Sequence, residues 1–222
     1  MNKRILKICL IIVVVFLIGC IGKTAIIKPE LLPKPEYSFK SPASVSFHVG
    51  SEGQNFFKEG SWPGSAIKVS IDLKQTQEVV AKKVLATLYT NYFQSDLDNN
   101  NYLQDVNIIG TINNFNHSIS NKWLTYITIS FDMKLSAKDK QGNLIYTNLI
   151  VIKDYESSRG YFSPVNFLFL PPGYEVDQYG ANKQSQLVGD TTTKKVYEIY
   201  IAEFEKIARL QKPESSAPTQ HP

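Results

Sequence analysis

The stretch Trp123 to Leu135 constrains the fold most. Leu124, Tyr126, Ile127, Ile129, Phe131, Met133 and Leu135 largely alternate with Thr125, Thr128, Ser130, Asp132 and Lys134. A period of two puts one row of side chains in a core and the other in solvent, so the segment predicts a half-buried strand. Lys138-Asp139-Lys140-Gln141-Gly142-Asn143 follows as a hairpin loop, with Gly142 supplying a positive φ, and Leu144 to Tyr155 returns as the partner strand. Shorter alternations stand upstream: Val45, Phe47 and Val49; Ile67, Val69, Ile71 and Leu73; then Val106, Ile108 and Ile112, with Gly110 predicting a bulge or a close backbone approach. Glycines 50, 53, 60 and 64 with Pro63 read as a long turn or mobile flap rather than a phosphate-binding loop, since they match neither glycine fingerprint.

The period changes twice. Val80, Val84, Leu88 and Tyr92 recur every four residues, predicting an amphipathic helix over about Thr76 to Gln94 with Thr76 as N-cap. Val196, Tyr200, Phe204 and Ile207 predict a second helix over about Asp190 to Gln211, with Asp190 as N-cap. The expected class is therefore α+β, an antiparallel sheet of about five strands with two amphipathic helices on one face.

The first twenty residues say where the domain resides. Lys3, Arg4 and Lys7 precede an apolar run from Ile8 to Ile18. That is the layout of a secretory signal peptide. The run, about eleven residues, is shorter than the roughly twenty a membrane-spanning helix requires. It ends in Leu17-Ile18-Gly19-Cys20, which resembles a bacterial lipobox. The resemblance implies signal-peptidase recognition through Leu17 and Gly19, and lipidation of Cys20 by covalent diacylglycerol and an N-acyl chain. Ile18 departs from the small residue usual there. Each buried methylene contributes about 0.8 kcal/mol, so several chains anchor firmly where one alone is marginal. Cleavage also removes three of the 24 basic residues, leaving the chain nearly neutral against its 20 acidic ones. A nucleic-acid reading loses its support. Ile21 in place of Asp, by resemblance to Gram-negative sorting rules, implies the outer membrane with the domain facing the periplasm.

Residues 1–19 thus read as a lipoprotein signal peptide and 20–42 as the lipidated cysteine with a Pro-rich tether. Residues 43–211 read as a single α+β domain and 212–222 as a disordered tail. Pro29, Pro33, Pro35 and Pro42 make the tether extended, with a reach of up to roughly 60 Å. With the lipobox, the Ile67 to Leu73 strand, the Gly110-Thr111-Ile112 strand start, the Lys138 to Gly142 hairpin and the late amphipathic helix in place, the chain resembles the YajG family of bacterial lipoproteins. More widely it resembles the helix-on-sheet assembly and auxiliary lipoproteins of the envelope. From the resemblance only the acylated Cys20 carries over as a functional residue.

No constellation reads as an enzyme site. His48, His117 and His221 share no spacing with acids or serines that would make a triad or a metal set, so no metal and no cofactor are expected. Asp132 with Asp139 and Glu52 with Glu59 read as solvated carboxylates, and Lys82-Lys83 and Lys194-Lys195 as solvated helix faces. Tyr89, Tyr92, Tyr197 and Tyr200 read as core margin, with a groove between the helices as the alternative. The connection from Phe162 to Gly180 stands out for its apolar Phe167-Leu168-Phe169-Leu170, which reads as a strand or cover over the core, or else as a partner or lipid contact. The expected function is a non-catalytic, lipid-anchored envelope protein that binds an envelope protein partner. The alternative is an accessory lipoprotein of a lipid or glycolipid transport system using an apolar groove.

Overall fold

The computed structural model describes residues 22–24, 32–50, 60–62, 65–94, 103–121, 125–159 and 175–211. In chain order the elements are β1 (Gly22–Thr24), β2 (Ser41–Val49), β3 (Gly60–Trp62), β4 (Ser65–Ser70), α1 (Leu73–Leu88), β5 (Tyr89–Gln94), β6 (Val106–Asn121), β7 (Thr125–Lys138), β8 (Leu144–Arg159) and α2 (Glu175–Leu210). Five strands form the main sheet in the order β5-β2-β6-β7-β8, and β1-β4-β3 form a smaller one.

The main sheet is mixed, which corrects the expected antiparallel arrangement. β2 lies parallel to both of its neighbours, β5 and β6, while β6, β7 and β8 form the antiparallel meander. The cause is α1. It carries the chain back the length of the sheet, so β5 must start where β2 starts, with Tyr89 beside Ser41. Parallel neighbours need such a crossover.

Both helices cover one face, as the periodicity predicts. Val45, Phe47 and Val49 of β2, Ile108 and Ile112 of β6, and Ile127, Ile129, Phe131, Met133 and Leu135 of β7 are buried there. They pack against Val80, Val84 and Leu88 of α1 and Val196, Tyr200, Phe204 and Ile207 of α2. Full burial of each large apolar side chain contributes about 1.5–3 kcal/mol, so this layer dominates the fold.

Element ends differ from the expected ones for local reasons. Helix α1 starts at Leu73, because the Asp72 carboxylate accepts a hydrogen bond from the Gln75 amide at 2.9 Å and serves as N-cap. Thr76 instead bonds back to the Asp72 carbonyl at 2.7 Å. The helix stops at Leu88, where Tyr-Thr-Asn-Tyr-Phe switches to a strand beside β2, so Tyr92 continues the helical spacing by coincidence. Helix α2 starts fifteen residues before the expected Asp190. Thr191, Thr192 and Thr193 are weak helix formers yet are buried inside it, and tertiary packing overrides propensity here. The Ile67 to Leu73 pattern divides between β4 in the small sheet and the first turn of α1.

Gly110 is a close approach and not a bulge. A Cβ there would stand 3.0 Å from both the Phe47 ring and the Tyr200 hydroxyl and 3.1 Å from Gln77 Oε1. Of the register shifts in the main sheet, two lie between Asn113 and Asn116 and beside Asp154, where Asn114 (φ 53) and Asp154 (φ 49) take the left-handed conformation. Asn and Asp tolerate that conformation better than most residues.

The residues read as a tether are not free throughout. β1 pairs in parallel with β4, Gly22 beside Lys68 and Thr24 beside Ser70. Farther on, Lys83 donates to the Leu32 carbonyl, Tyr197 donates to the Pro33 carbonyl at 2.6 Å, and the Arg209 guanidinium lies 5.1 Å over the Phe39 ring. Leu32, Tyr37 and Phe39 pack on the core, and burial pushes the Tyr37 hydroxyl pKa well up, with Tyr197 and Glu205 adding to the rise.

Candidate functional site: the open edge of the main sheet

β8 is an edge strand of sixteen residues. Among the described residues, β7 pairs with one side of it and nothing pairs with the other. Such an edge presents a row of free backbone donors and acceptors to any extended segment.

Two sections of this edge differ in chemistry. From Lys153 to Arg159 it carries charges and the Asp154 bulge, both devices that discourage further pairing. From Leu144 to Ile152 it has no charged residue, no Pro and no Gly. Leu149 is 63% exposed and Val151 49% exposed, on the face away from the helices. Their cross-strand neighbours on β7 are Lys134 and Asp132.

The inner face of the same section is held rigidly. Glu203 on α2 is 5% exposed. One of its carboxylate oxygens accepts from the Tyr146 hydroxyl and from Asn148 Nδ2 at 3.0 Å, and the other accepts from Lys206 Nζ at 2.6 Å. Burial alone would raise the Glu203 pKa, but the hydrogen bonds from Lys206, Tyr146 and Asn148 outweigh it and hold the carboxyl below its usual range. Burial, then the bond to Glu203, pushes Tyr146 up to about 12. Farther along, Lys195 Nζ sits 4.5 Å over the Tyr155 ring. With both oxygens engaged, the Glu203 carboxylate pins a helix to an edge strand and has no poised proton to exchange. The arrangement can recognise a strand through backbone hydrogen bonds, with Leu149 and Val151 as apolar contacts.

The other candidates are scattered. His48 and His117 lie on opposite faces of the sheet, since His48 pairs with Ile109 while His117 pairs with buried Ile129 beside Phe115. Asp132 accepts from Asn114 Nδ2 at 2.6 Å, and Asp139 closes the hairpin by accepting from the Asn143 amide at 2.8 Å. The two carboxylates are thus separate fold devices. Lys83 and Lys195 are used in packing, whereas Lys82 and Lys194 are exposed. Tyr89 and Tyr200 are buried, Tyr200 donating to Gln77 Oε1 at 3.1 Å. Tyr197 holds the chain's own Pro33. No group of three metal-binding side chains occurs among the described residues, and no helix among them is long and apolar enough to cross a membrane. Leu17, Gly19, Cys20, His221, the pair Glu52 and Glu59, and the apolar Phe167, Leu168, Phe169 and Leu170 lie outside the described residues.

No family model matches the chain, and no curated protein matches it in sequence. Among solved structures it is similar to a DUF330 protein from Xanthomonas campestris, at 9% identity over 85% of this chain and 99% of that one, with a TM-score of 0.42. A minor lipoprotein from Acinetobacter baumannii gives 14% identity over 72% of this chain and 94% of the other, with a TM-score of 0.33. A Helicobacter pylori protein named as a neuraminyllactose-binding hemagglutinin homologue gives 11% identity, 78% and 97% coverage and a TM-score of 0.30. Likenesses of this grade assign the chain no family and no role, and none of the three bears the YajG name.

The edge residues Leu149 and Val151 were not singled out by sequence reasoning. Their signal was available. β7 alternates cleanly, whereas Leu149-Ile150-Val151-Ile152 in β8 is apolar on both faces. A strand of that kind needs cover on both sides.

Proposed function

We propose that this chain is a non-catalytic lipoprotein of the bacterial envelope, anchored by acyl chains on Cys20, that binds an extended segment of an envelope protein partner along the outer edge of β8. The observation that carries the reading is the uncharged section Leu144 to Ile152, whose outer edge no strand pairs among the described residues. A flat apolar edge left bare invites edge-to-edge aggregation, and its charged continuation from Lys153 onward shows what a protected edge looks like in the same strand. Backbone pairing would supply affinity, while tethering to the bilayer raises the local concentration of one binding partner for the other. Placement in the outer membrane, with the domain on the periplasmic side, belongs to this proposal through Ile21.

The test uses two substitutions that leave the fold intact. Leu149→Glu puts a carboxylate opposite Lys134, and Val151→Lys puts an ammonium opposite Asp132. Each new charge meets its opposite across the strand pair, which is mildly stabilising within the sheet and costly beneath an added strand. The lipidated double variant should stay on membranes and lose the stoichiometric protein that copurifies with the unaltered chain. Retention of the same protein at the same stoichiometry would contradict binding at this edge. The alternative, lipid or glycolipid transport through an apolar groove near Phe162 to Pro172, falls on residues outside the described ones, and no observation favours it.

A further inference from the structure

We infer that the occupant of the β8 edge is a second copy of this chain: two β8 strands pair antiparallel about a two-fold axis at Asn148 and join the two five-stranded sheets into one. The inference rests on the proposed reading of that edge as a docking strand and names what docks there.

The pleat limits how β8 can face itself. Side chains alternate between the faces, so the position numbers of an opposed pair must add to an even sum for the two helix faces to match. Among such registers, the one centred on Asn148 sets the uncharged section Leu144 to Ile152 against itself. Thr147 then stands opposite the other copy's Leu149. The two Leu149 side chains, each 63% exposed in the single chain, become diagonal neighbours across the axis. Moving the register by one step of the pleat spoils this match. In one direction Lys153 faces apolar Ile145, and in the other Val151 faces Asn143 of the hairpin.

The flanks of this register agree in charge. Beyond the uncharged section, the end carrying Lys153, Asp154 and Glu156 meets the other copy's hairpin end, which carries Lys138, Asp139 and Lys140. A net negative group thus meets a net positive one, and the two-fold axis repeats the contact. Among the described residues Lys153 and Glu156 have no ion-pair partner. Exposed pairs of this kind contribute little affinity but select orientation and register. In-register parallel pairing would instead set each charged end against its like.

The helices leave room for the pairing. An antiparallel edge contact has its axis normal to the sheet, so both helix layers lie on one face. Helix α2 packs over β7 and reaches inward, where Tyr200 meets Gly110 of β6 and Phe47 of β2. The two β7 strands would be three strand spacings apart, about 14 Å, whereas packed helices need only about 8–10 Å. The contact also closes, because a two-fold pairing consumes both β8 edges. What remains at each end is β5, only six residues long, and short edges are a protected kind. Closure accounts for an uncharged edge that does not propagate into open-ended aggregates. Anchoring both copies in one bilayer supplies the local concentration that so small a contact needs.

The experiment uses two differently tagged full-length copies expressed together in bacterial cells. One carries Thr147→Cys and the other Leu149→Cys, both at exposed positions. With Cys20 acylated and Cys9 removed with the signal peptide, each mature chain has one free thiol. In the inferred register positions 147 and 149 are opposed, about 5 Å apart between Cα atoms. Two copies of the same variant hold their thiols on residues about 8 Å apart, beyond disulfide reach. Mild oxidation of isolated membranes should therefore give several-fold more disulfide dimer from the 147 and 149 mixture than from either variant alone. Equal yields from like and unlike pairs, or no dimer at all, would overturn the inference. A photoreactive side chain at position 149 separates this failure from failure of the docking reading. An adduct of two copies of the chain supports the inference. A discrete adduct with a different protein would overturn the second copy and leave the edge as the docking site, and the absence of any adduct would overturn both.

Discussion

At the scale of single residues, Gly110 matters most. It sits where β2, α1 and α2 meet, and the missing side chain leaves room for Phe47, Gln77 and Tyr200 to come together. The Tyr200–Gln77 hydrogen bond is wholly buried, and among the described residues Gln77 Nε2 has no partner. Gly110→Ala would push a methyl into this contact without room to receive it, so it should lower unfolding free energy by about 1–3 kcal/mol in urea titrations. Asp105 gives a second prediction. The hydrogen bond from Lys140, then those from Ser44, hold its pKa at about 2 against 3.8. A depressed carboxyl stabilises the fold above its unfolded pKa, and that stability is lost as pH falls from about 4 towards 2. The site is partly exposed, with 43% of the side chain accessible, so the contribution after screening is under about 1 kcal/mol. Asp105→Asn should remove that part of the acid sensitivity, seen as a flatter unfolding midpoint between pH 4 and 2. Gly110 was legible as a special position, because a glycine interrupting a strand pattern needs a reason. The buried carboxylate Glu203 was not, since its helical neighbours on the sequence, Lys206 and Glu205, look like an ordinary solvated face.

At the scale of elements, the meander was legible and the crossover was not. β7, the hairpin and the return strand follow from period-two alternation closed by a turn, and the structure places Gly142 at φ 84 as the turn requires. The late helix was read from its stripe, but its first fifteen residues carry little apolar periodicity and gave no helical signal. The Tyr89 to Phe93 run shows the opposite error, in which spacing suggested helix and pairing with β2 decided for strand. The edge strand carries the prediction at this scale. Because Leu149→Glu and Val151→Lys each face an opposite charge on β7, the double variant should keep its unfolding free energy within about 0.5 kcal/mol of the unaltered protein. A larger loss would mean that these side chains hold the fold together and do not simply face a partner.

At the scale of the whole molecule, the sequence supports a helix-on-sheet layer but not its parallel centre or the small sheet. Both depend on contacts between distant segments: β2 beside β5 and β6, and β1 beside β4. Short alternations state that a strand exists and leave its neighbours open. The N-terminal segment illustrates the same limit, because proline-rich composition describes an extended chain equally well whether it is free or laid along two helices. Together these features describe a two-helix layer on a mixed sheet whose edge strand, from Leu144 to Ile152, is uncharged and pairs with β7 alone among the described residues. The most direct measurement is photo-crosslinking in living cells, with a photoreactive side chain at Leu149 of the lipidated protein and a second at exposed Lys82 on α1 as reference. The account predicts one discrete protein adduct from position 149 and none from position 82. The absence of any adduct at 149, or the same adducts from both positions, would contradict it.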